Sequence, residues 1–86
     1  MLVKLKILLE YLNGVKRDDW GDAWVDGEKI TDKTGLSLIE INDMTRLAWH
    51  RKLVDVGTNS ALQSSKGYKF FRVQITVEGR LWLETN

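Results

Sequence analysis

Eighty-six residues, 43% apolar and 29% charged, suffice for one modest hydrophobic core and are too apolar for a disordered chain. With no cysteine and a single histidine, His50, the chain has no disulfide, no thiol nucleophile and no Cys- or His-rich metal site. The net charge of +1 is uneven: residues 1–28 carry four Lys/Arg against six Asp/Glu, whereas residues 29–86 carry nine against six.

The expectation is a single domain over residues 1–86. Leu2, Leu5, Leu8, Leu9 and Leu12 recur at helical spacing, and Asn13-Gly14 is a stop signal, so the first helix is read as 2–13. Val3, Ile7 and Tyr11 widen its apolar face. No apolar run approaches the ~18 residues of a membrane span. Lys4, Lys6 and Glu10 interrupt the amino-terminal segment, which also lacks a small-residue cleavage site and is not read as a signal peptide. A cytoplasmic protein with no membrane contact is expected.

Residues 14–26 read as a loop. Its four aspartates do not follow the alternate spacing of an EF-hand, and no metal or other cofactor is expected. Trp20 and Trp24 are expected to fold the loop onto the core, with Trp24-Val25 as a short edge strand. Asp26 caps a second helix, about 27–34, which Gly35 ends. Ser37 and Glu40 form a capping box for a third helix, about 38–52. Ile41, Met44, Thr45 and Ala48 fall on its inner face; Ile39, Asn42, Asp43, Arg46 and His50 fall on the outer one.

Residues 53–62 and 68–76 read as two strands joined by residues 63–67. Phe71, Val73 and Ile75 alternate on one face, Tyr68, Phe70, Arg72 and Gln74 on the other. Thr76 caps a last helix from Val77 to about Glu84.

The order of elements is that of an α+β winged helix-turn-helix: a three-helix core, a two-stranded β wing and a short C-terminal helix. At residue level the chain resembles the small bacterial and archaeal winged-helix regulators of MarR and PadR type. The resemblance rests on Thr34-Gly35-Leu36-Ser37, on Ile41 and Leu53-Val54, and on the run Ile75-Thr76-Val77-Glu78-Gly79-Arg80-Leu81-Trp82-Leu83. It covers roughly residues 27–84. Those families usually carry Gly where this chain has Lys52, and Leu where it has Thr45.

The resemblance implies sequence-specific binding of double-stranded DNA by a small transcriptional regulator. The helix 38–52 would enter the major groove, and the wing, 63–69, would meet the backbone or minor groove. Asn42 suits adenine and Arg46 suits guanine, each through paired hydrogen bonds, and Ile39 can meet a thymine methyl. Ser37 at the helix start can take a phosphate, His50 extends the outer face, and Lys66, Lys69 and Arg72 supply positive charge on the wing. The wide apolar face of the first helix and the cluster Leu81-Trp82-Leu83 imply a homodimer. No catalytic constellation, P-loop or G-x-G-x-x-G is present, so no enzyme is expected. No sensor segment and no small-molecule effector are evident. The alternative is a winged helix that contacts another protein without binding DNA.

Overall fold

The leucine-rich start of the chain forms α1 (Leu2–Asn13), in which Leu5, Leu8, Leu9 and Leu12 share one buried face. These coordinates are a computed structural model that describes residues 2–58 and 66–86. After the 14–26 segment come α2 (Gly27–Thr34), α3 (Leu38–His50), β1 (Val54–Gly57), β2 (Arg72–Ile75) and α4 (Val77–Thr85). Among the described residues the result is a small α+β fold of four helices and a two-stranded antiparallel sheet. Helix α1 is the hub, touching α2, α3, α4 and β2.

Local chemistry places the helix boundaries. The Asp26 carboxylate accepts from the Lys29 backbone N–H and opens α2, and Gly35 closes it at φ 73°. At the start of α3 the Ser37 hydroxyl accepts from the Glu40 N–H while the Glu40 carboxylate accepts from the Ser37 N–H, a reciprocal cap. Helix α3 stops at His50, two residues earlier than the spacing implied, because Lys52 turns left-handed at φ 63°. The backbone needs at Lys52 the conformation that glycine adopts most readily.

The strands are shorter than the sequence pattern implied. Val54 pairs with Ile75 and Gly57 with Arg72. Residues 68–71 are not strand, so the alternation breaks there: Phe70, expected opposite Val73, is buried in the same core. Residues 59–62 of the first expected strand and 63–65 of the expected turn lie outside the described residues. The edge contribution is one bridge, Val25 with Val73, two backbone hydrogen bonds of 2.9 Å. Trp24 is half-buried, but Trp20, expected on the core, is 87% exposed. The Asp18 carboxylate accepts from the Trp20 and Asp22 N–H groups, closing the loop locally without the indole.

The junction of β2 and α4 is fitted by Thr76 and Gly79. The Thr76 hydroxyl donates to the Lys52 carbonyl at 2.7 Å and accepts from the Gly79 N–H at 3.0 Å. Gly79 is buried so close to the Leu53 carbonyl that a Cβ would overlap it. That contact explains a glycine inside a helix, where it otherwise costs about 1 kcal/mol against alanine.

Candidate functional site

Helix α3 buries Ile41, Met44, Thr45 and Ala48, the inner face expected from its period. Its outer face presents Ile39, Asp43, Arg46 and His50, all exposed. Ile39 is 71% exposed, a large apolar side chain held in water by helix geometry. Arg46 makes no ion pair among the described residues, and neither does Lys69.

Asn42 behaves differently from Arg46. It is half-buried and turned to the β1–β2 connection, where its amide donates to the Gly67 carbonyl and accepts from the Lys69 N–H, both at 3.0 Å. The expectation that Asn42 and Arg46 project together from one free face therefore holds only for Arg46. Two backbone partners 25 and 27 residues away satisfy the Asn42 amide and tie α3 to the connection.

The basic residues of the connection are also placed. Lys66 pairs with Glu28 of α2, and the carboxylate holds its ammonium pKa above the ordinary value. Lys69 is exposed. The Arg72 guanidinium lies 4.3 Å from the centroid of the Trp24 ring, a cation–π contact that leaves its charge in water. Gly57, directly across the sheet, makes room, since a Cβ there would stand 2.8 Å from Arg72 Cγ. Tyr68 fixes the base of the connection: its hydroxyl is 2.6 Å from that of Thr31, and its ring packs edge-on against Phe70.

Ser37 and Glu40 close the α3 start against each other, and Lys4 of α1 pairs with Glu40. Those bonds from Lys4 and then Ser37 hold the Glu40 carboxyl down to about 2. The ordering brings a carboxylate beside the phosphate position assigned to Ser37. Toward the other end, Trp49, 52% exposed, is tilted against His50 with ring centroids 5.7 Å apart.

One feature has no counterpart in the sequence expectations. Between α3, the end of β1 and residues 69–70 lies a cavity of about 130 Å³. Thr45, Trp49, Val56 and Phe70 form walls, with Arg46 and Lys69 also lining it. The available signal was Thr45 itself, a hydroxyl on the buried stripe where the resembling families carry leucine. Among the described residues there is no group of three or more His, Cys, Asp or Glu placed to hold a metal, and no helix long and apolar enough to cross a membrane. Comparison with protein-family models, with curated proteins and with solved structures finds no match for the chain.

Proposed function

We propose that the chain is a winged-helix module that binds double-stranded DNA, in the manner of a small transcriptional regulator. Helix α3 is the recognition helix, and the β1–β2 connection is the wing. The observation that carries this reading is Arg46: exposed, free of any ion pair among the described residues, and centred on the outer face of a capped helix, with Lys69 lining the same cavity. An exposed guanidinium on such a helix matches the paired acceptors of guanine in the major groove. Ile39 and His50 flank it. Asn42 holds the wing to the helix, and the wing cations supply phosphate attraction.

A homodimer belongs to the same reading. Val3 and Ile7 form an exposed apolar stripe on α1, Val77 and Leu81 another on α4, and Lys6 of α1 donates to the Asn86 carbonyl next to α4 at 2.6 Å. Two such modules would read two half-sites about one helical turn apart. The second reading, contact with another protein, is favoured by Ile39 and Trp49, both apolar and more than half exposed on one helix.

Titration with random duplex DNA at two salt concentrations separates the readings. A groove binder shows non-specific affinity that falls steeply with salt, and Arg46→Ala costs about 1–3 kcal/mol against a preferred site. No binding at low salt, or an unchanged affinity in Arg46→Ala, rejects the DNA reading. Light scattering with and without DNA reads the mass; a persistent monomer rejects the dimer.

A further inference from the structure

The fold treats the two acids of α3 differently. Glu40 caps Ser37 and pairs with Lys4, so its charge is answered inside the molecule. Asp43 is exposed and makes no ion pair among the described residues. It belongs to the stripe Ile39, Asp43, Arg46 and His50, whose spacings of four, three and four keep to one helix face. Asp43, Arg46 and His50 also line one open groove with Met44 and Leu47. Arg46 stands about one turn from Asp43, yet among the described residues the two form no ion pair. The face that carries the guanidinium therefore also carries a bare carboxylate. A negative charge there opposes the approach of phosphate and costs affinity for every sequence except one that repays it.

We propose that Asp43 is a specificity-determining residue of the recognition helix, selecting duplexes with a cytosine beside the guanine taken by Arg46. The proposal rests on the DNA-binding reading. An ionised carboxylate only accepts hydrogen bonds. Guanine offers it the N7 and O6 acceptors and thymine the O4 acceptor, so both repel it. Adenine sets its N7 acceptor next to its N6 amino donor. Cytosine, through its N4 amino group, shows the major groove a donor and no acceptor, and so is the base that suits Asp43. Helix geometry puts the two contacts side by side. Three helical residues advance about 4.5 Å, against about 3.4 Å for a base-pair step, so Asp43 and Arg46 meet neighbouring base pairs. The ligand class is duplex DNA with two adjacent G·C pairs, guanine facing Arg46 and cytosine facing Asp43. Asp43 acts mainly by exclusion, because a wrong base leaves its carboxylate desolvated against acceptors.

The test is selection of sites by the full chain from a randomised duplex library, followed by titration with matched duplexes that differ at single positions. For the native chain a cytosine is expected at one position next to a guanine, with about tenfold loss when that C·G pair becomes T·A. Asp43→Ala erases the preference at that position alone. It also raises affinity for random duplex at low salt by up to about fivefold, the scale of one exposed charge removed. Asp43→Asn moves the preference at that position from cytosine to adenine, whose N6 and N7 match an amide. Arg46→Ala relaxes the preference for the neighbouring guanine instead. A merely structural role for Asp43 would exchange no base preference. Circular dichroism melts of the variants check that the fold persists, as an exposed side chain allows. An unchanged preference in both Asp43 variants, or a selected site with no cytosine next to the Arg46-dependent guanine, overturns the proposal. So does a uniform loss of affinity for all sequences in Asp43→Ala. If the native chain shows no salt-dependent binding to any duplex, the DNA-binding reading fails and this one with it; binding without the cytosine preference removes this one alone.

Discussion

The two flanks of α3 are built on opposite principles. Toward α1 and the core, Ile41, Met44 and Ala48 lock into the leucine face, and Glu40 pairs with Lys4 across the helix gap. Toward the β1–β2 connection the contact is a polar clamp at Asn42 beside a cavity beneath Thr45. The first flank sets where the helix sits. The second leaves a cavity lined by Thr45 and the exposed Arg46, with the Thr45 hydroxyl buried and unpartnered among the described residues. Close packing holds an element in place, and the departure from it is where buried groups go unsatisfied.

The largest effect separating the flanks is at Ile41, which is wholly buried. Ile41→Ala is expected to cost about 2–5 kcal/mol, lost transfer energy plus a cavity that the surrounding leucines cannot close. Urea unfolding followed by circular dichroism checks it. A loss below about 1 kcal/mol would mean the core flank yields as readily as the other.

On the open flank the sign reverses. Thr45→Val removes an unpartnered buried hydroxyl at nearly constant volume and is expected to leave stability unchanged or raise it by up to about 1 kcal/mol. The same urea curves decide it. A clear destabilisation would show that the hydroxyl is satisfied inside the fold, and the contrast between the flanks would narrow to packing alone.

The smallest effect is the surface ion pair of the core flank. Glu40 has its pKa lowered to about 2 by Lys4 and Ser37, so the folded state binds fewer protons than the unfolded one in this range. Its contribution is fully present above the ordinary carboxylate pKa and is lost as pH falls through about 2. Glu40→Gln is expected to flatten that part of the stability profile between pH ~5 and ~2 and to reduce its salt dependence. Identical profiles for the two proteins would place the pairing with Lys4 outside the energetics of the fold. Lys4 is exposed and Glu40 no more than half-buried, so the pair is screened by solvent and the effect is modest.

Much of the fold was legible because it is written in local signals. The α1 leucines, the Asp26 and Ser37 caps and the Gly35 stop each act within one or two helical turns, and each sits where its spacing put it. The buried set of α3 also followed from its period alone. The β region was less legible. Strand alternation carried no sign that pairing ends at Arg72 or that Phe70 turns inward, because those depend on what packs against the connection.

For the candidate site, the sequence by itself determined the helix, its capped start and the exposure of Ile39, Arg46 and His50, since helical periodicity divides inner from outer positions. Tertiary structure alone decided the rest. It turned Asn42 to backbone partners at Gly67 and Lys69, and gave Glu28 to Lys66 and Trp24 to Arg72. It also opened a void under Thr45. Each of these outcomes depends on contacts between residues far apart in the chain, whose distances no local pattern encodes.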